Sequence, residues 1–109
     1  MPTFVFTYRA PKGYVRTPES GLAWRAWFDG MADRVVDLGQ PAVSATGVGN
    51  CSTESTELGG YSLIAADDLQ GALAAARDCP YLSQDGGVEI AELIPIPVVP
   101  TTSVAAAGA

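Results

Sequence analysis

The stretch GGYSLIAADDL, residues 59–69, decides the fold. Its first half alternates: Tyr61, Leu63 and Ala65 project to one side of an extended chain, Ser62 and Ile64 to the other, so Gly60 to Ala66 is expected as a strand. Its second half changes period. Asp67 stands where an N-cap accepts from backbone amides, Gln70 three residues on completes a capping box, and Leu69, Ala72, Leu73 and Ala76 form a helical stripe. The alanines favour the helix and let it approach a sheet closely. Pro80 stops it, and after Gly86-Gly87 the residues Val88, Ile90 and Ile94 alternate with Glu89, Ala91 and Leu93 in a last strand.

The same strand-then-helix pattern lies upstream. Phe4, Phe6 and Tyr8 alternate with Thr3, Val5, Thr7 and Arg9 in a half-buried strand, followed by a loop over residues 10–17. Thr17 can cap a helix and Pro18 suits its first position. Trp24, Trp27, Phe28, Met31 and Val35 recur at helical spacing, and Gly39 and Pro41 end the run. Ala42 to Val48 is expected as a short strand of small residues, and Gly49 to Glu57 as a polar loop.

The order is β-α-β-β-α-β. Right-handed crossovers turn it into an α+β ferredoxin-like plait: a four-stranded antiparallel sheet, spatial order 4-1-3-2, with both helices on one face. Residues 1–97 are expected to form this domain, and the Pro/Ala-rich residues 98–109 are expected as a flexible tail. Two helices leave the other sheet face open. The expected division puts Phe4, Phe6, Tyr8, Tyr61, Leu63, Val88 and Ile90 under the helices. Val5, Thr7, Arg9, Ser62, Ile64, Glu89, Ala91 and Leu93 then fall on the open side, along with Ser44, Thr46 and Val48. That open set is too apolar to leave wet and too polar for a dry core. A second copy of the sheet would cover it and enclose a partly polar lumen.

Composition narrows the chemistry. Of 109 residues, 48% are hydrophobic, too many for intrinsic disorder, yet no apolar run is long enough to span a membrane. Twelve acidic residues against six basic give a net charge of -6, which repels a nucleic-acid backbone. There is no histidine, so the commonest acid/base group and metal ligand is missing, and two cysteines cannot build a zinc site. No phosphate-binding glycine loop is present, and neither a cofactor nor a metal is expected. The opening MPTFVFTYRA lacks the pattern of a secretory leader, so a cytoplasmic protein with reduced thiols is expected.

Several segments together resemble the YCII-related family, in its DGPF-type branch. They are MPTFVFTYRA, Trp24-x-x-Trp27-Phe28, Arg34-Val35-Val36-Asp37-x-Gly39-x-Pro41, GGYSLIAADDL, Cys79-Pro80 and Gly86-Gly87-Val88-Glu89-Ile90, spanning Pro2 to about Pro97. The resemblance implies the plait, pairing into a dimeric α/β barrel, and an unassigned reaction. For some members it implies a setting beside extracytoplasmic-type sigma factors. The His–Asp pair attributed to the YCII branch has no counterpart: the helix carries Trp24 and Trp27, and Cys79 precedes Pro80-Tyr81. No catalytic role carries over.

Two functions stay open. In the first, a homodimer binds a small polar or aromatic molecule in its lumen through Thr7, Arg9, Ser62 and Glu89. Acid/base work would then fall to Glu89, Asp37 or a tyrosine, a carboxyl needing its pKa raised by burial, with Arg9 and Ser62 orienting the ligand. In the second, the dimer is a non-catalytic sensor or regulatory module, with Arg9 and Glu89 satisfied by each other across the first and last strands. The aromatic stripe of Trp24, Trp27 and Phe28 is expected as core packing and Cys79 as a buried thiol at a helix C-terminus, where the dipole disfavours an anion, while Asp37 is open equally to a turn role and to that of a base.

Overall fold

A computed structural model describes residues 1–97 of the chain; the expected tail at 98–109 lies outside the described residues. The elements are β1 (Thr3–Pro11), α1 (Pro18–Met31), β2 (Val35–Asp37), β3 (Thr56–Ala65), α2 (Leu69–Ala76) and β4 (Gly87–Glu92), with 3-10 turns at Ala32–Arg34 and Pro80–Gln84. All strand pairings are antiparallel and the sheet order is β2-β3-β1-β4. This α+β arrangement, four strands and two helices, is compatible with a ferredoxin-like plait.

Helix α1 starts as its sequence predicts. Thr17 accepts from the Ser20 amide at 3.1 Å and the Ser20 hydroxyl accepts from the Thr17 amide at 3.0 Å, a reciprocal capping box with Pro18 behind it. It ends earlier than expected. Ala32 takes φ 52°, its amide turning back to Asp29 and Phe28 carbonyls, and the chain leaves the helix eight residues before Gln40. Val35 therefore belongs to β2 rather than to the helical stripe. This also moves the second strand: it is Val35–Asp37, a β-branched pair, and Ala42 to Val48 holds no strand. The chain touches the sheet again only at a single bridge, Pro41 to Gly60.

Strand β3 is longer than expected, beginning at Thr56 inside the predicted polar loop. Helix α2 is capped by Asp68, not Asp67: the Asp68 carboxylate accepts from the Gly71 amide at 2.8 Å. Its buried side is Ala72 and Ala76, whereas Leu69 is exposed. Strand β4 ends at Glu92, short of Leu93 and Ile94.

The core lies between the helices and one sheet face. Phe4, Phe6, Tyr8 and Ala10 alternate into it from β1 and meet Trp27 and Met31 of α1 and Ala72 and Ala76 of α2. On β3 the phase is opposite to the expected one. Phe4 pairs with Ile64 and Phe6 with Ser62, and directly opposed residues share a face, so Ser62 and Ile64 lie under the helices. Tyr61, Leu63 and Ala65 join Val5, Thr7 and Ala91 on the other side. Ile64 and Ser62 are fully buried, while Tyr61 is 41% exposed.

Candidate functional site

The residues proposed for a lumen divide between two faces. Thr7, Arg9 and Glu89 share the open face: Thr7 pairs with Glu89, and its hydroxyl donates to the Glu89 carbonyl at 3.2 Å. Arg9 does not engage Glu89. Its guanidinium donates to the Thr56 hydroxyl (3.3 Å), the Thr56 carbonyl (3.1 Å) and the Ser52 carbonyl (3.1 Å), tying β1 to the start of β3. The reason is register. Arg9 stands opposite Gly87 on β4, and a bulge between Tyr8 and Arg9 turns this part of the strand against the Leu58 segment.

Ser62, expected beside them, is on the helix side, where its hydroxyl donates to the Leu38 carbonyl at 2.6 Å. Asp37 is exposed and its carboxylate accepts from the Gly39 amide at 2.8 Å, the turn role. Gly39 is held in the left-handed region (φ 71°), and a Cβ there would collide with the Tyr61 carbonyl, so the phrase Asp37-Leu38-Gly39 serves close packing of the chain against β3. Glu89 is exposed as well. Neither candidate base is desolvated within the protomer.

A pocket lies on the helix side instead. It has a volume of about 360 Å³, within the range of small-molecule sites, at the N-terminal end of α1. Trp24 and Phe28 of α1 form one wall, Tyr81 of the second 3-10 turn and Tyr14 of the loop after β1 another, and Leu38, Gln40 and Pro41 a third. The rings brace each other edge to face: Trp24 and Tyr81 centroids are 4.7 Å apart, Trp24 and Tyr8 4.8 Å, Tyr14 and Tyr81 5.1 Å. Glycine makes room, since a Cβ at Gly59 would press at 3.2 Å on the Tyr81 hydroxyl.

The helical aromatic stripe thus has two roles. Trp27 is core, 8% exposed, its indole N–H donating to the Ala75 carbonyl at 3.0 Å. Trp24 and Phe28, only half-buried, line the pocket. Tyr14, Arg16 and Gln40 were not singled out by sequence reasoning, because they sit in segments without periodicity. The available signal was an aromatic and a cation directly before a helix cap.

Behind the pocket wall the hydrogen bonding is incomplete. The Tyr8 hydroxyl is buried without a partner, and desolvation holds its proton well above the usual phenol range despite the Ser62 hydroxyl nearby. Burial also pushes the Cys79 thiol up to about 11, and raises Tyr81, which Arg16 partly offsets. Cys79 is an inert buried thiol and Cys51 an exposed one, both free. Among the described residues no group of three His, Cys, Asp or Glu side chains is placed to hold a metal, and no helix is long and apolar enough to cross a membrane.

No family model, curated protein or solved structure matches the chain.

Proposed function

We propose that the chain is a YCII-related, DGPF-type homodimer that binds a small molecule and does not transform it. One observation carries the binding: a preformed pocket of about 360 Å³ walled by Tyr14, Trp24, Phe28 and Tyr81. Its lining contains no carboxylate, no thiol and no histidine, and its tyrosines have no base beside them. Such a site holds a flat apolar body. The ligand therefore belongs to the helix side of the sheet, not to the lumen, and the lumen-facing Thr7, Arg9 and Glu89 serve the dimer. The cytoplasmic setting and the role beside a regulatory partner belong to the same reading.

Pairing is supported by the open face. Val5, Leu63 and Ala65 are half-buried there, and Tyr61 and Leu58 are each 41% exposed, a contiguous apolar strip along β1 and β3. A second copy supplies the complementary strip by two-fold symmetry. Light scattering at micromolar concentration is expected to return twice the chain mass for wild type and the monomer mass for Leu63→Lys, with the far-ultraviolet dichroism unchanged. A wild-type monomer removes the dimer. Thermal shift against a panel of bicyclic aromatic compounds tests the ligand site: wild type is expected to gain several degrees with at least one class and Trp24→Ala with none. A panel without effect on wild type removes the binding reading.

A further inference from the structure

Charge around the pocket is distributed against the trend of the molecule. The chain holds twelve acidic residues and six basic ones, yet none of the acidic residues lines the pocket and one cation, Arg16, does. Glu19, three residues along, is exposed and outside the lining. Arg16 reaches the mouth from the loop just before α1 and is close enough to Tyr81 to oppose the rise of its phenol. It forms no ion pair among the described residues and is exposed, so its guanidinium is available.

The first turn of α1 also borders the pocket through Thr17, Ser20 and Gly21, but its amides are mostly spent. Thr17 and Ser20 satisfy each other, Gly21 donates to the Thr17 carbonyl, and Pro18 has no N–H. Charge recognition at the mouth therefore falls to Arg16.

We infer that the pocket selects planar aromatic molecules bearing a single carboxylate or similar anionic group, the ring held against Trp24 and Tyr81 and the anion paired with Arg16. This rests on the pocket being the ligand site. The geometry divides the work: the ring walls supply desolvated apolar contact, and the lone cation sets orientation by a charge-assisted bond that a neutral isostere cannot make.

The test is calorimetric titration of the full chain with 2-naphthoate and with its neutral isostere 2-naphthamide. For wild type, 2-naphthoate is expected to bind about fivefold more tightly, an exposed pair contributing roughly 1 kcal/mol. Arg16→Gln should bring the two affinities together and Arg16→Glu should reverse the order, both with unchanged melting temperature. Tyr14→Ala should weaken both probes alike, which locates them in the pocket. Equal affinity of the two probes for wild type, or a preference that survives Arg16→Gln, overturns the anion selectivity while leaving the ligand site standing. Failure of both probes to bind overturns the site as well.

Discussion

The two faces of this sheet carry the same alternation and meet different fates. On the helix side Phe4, Phe6, Ile64 and Ser62 are completely buried; on the other side Val5, Leu63 and Tyr61 remain in contact with solvent in the protomer. Size does not separate them, since Tyr61 is larger than Ser62. Proximity does. Ser62 and Gly60 are small where the chain after β2 crosses close above β3, the Ser62 hydroxyl meeting the Leu38 carbonyl and Pro41 bridging Gly60. Large side chains there would hold the crossing segment off the sheet.

Substitutions can break this contrast. Phe6→Ala removes a ring from a filled core and is expected to cost about 4 kcal/mol in urea unfolding, whereas Val5→Ala on the open face should cost about 1 kcal/mol or less under conditions where the chain is monomeric. Similar losses at both positions would mean that the open face is packed in the protomer too.

Alkaline pH probes the buried side alone. The unfolded Cys79 thiol ionises near 9 while the folded one keeps its proton to about 11, so its contribution is complete below pH 9 and declines as the pH climbs between these values. On the order of 2–3 kcal/mol of stability is expected to disappear through Cys79 across that window, with Tyr8 and Tyr81 adding to the decline from about pH 10 upward. Chemical denaturation from pH 8 to 11 measures the decline, and Cys79→Ala should remove the part between pH 9 and 10 while the loss due to Tyr8 and Tyr81 persists above pH 10.

Paired hydroxyl deletions give the smallest effects. Ser62→Ala leaves the Leu38 carbonyl without its donor and is expected to cost about 1.5 kcal/mol, while Thr7→Ala, whose hydroxyl bonds an accessible carbonyl, should stay within about 0.5 kcal/mol. Equal costs would show that burial does not distinguish these two hydroxyls.

Local pattern made much of the fold legible: the capping residues at Thr17 and Pro18, the alternation of β1, and the existence of the small-residue helix α2 follow from sequence spacing, although α2 is capped one residue later than expected, by Asp68, and leaves Leu69 exposed. It failed where contacts are non-local. Val35 fits a helical stripe as well as a strand, and only the break at Ala32 makes it β2. The phase of β3 depends on which residue of β1 stands opposite, a register that no single strand contains. The candidate site was not legible: Trp24 and Phe28 stood out only as a helical stripe expected in the core, and the pocket they wall also needs Tyr14, Arg16, Gln40 and Tyr81 from separate segments.

Periodicity, caps and composition belong to neighbouring residues along the chain. They settled the alternating order of strands and helices, the lack of histidine chemistry and the lack of a nucleic-acid-attracting charge, but not the position of β2. Pairing register and close approach belong to residues far apart in sequence, joined only when backbone hydrogen bonds and core packing are satisfied together. Those decided which face of β3 is buried, sent Arg9 to Thr56 rather than Glu89, and set one cation at the mouth of an aromatic pocket.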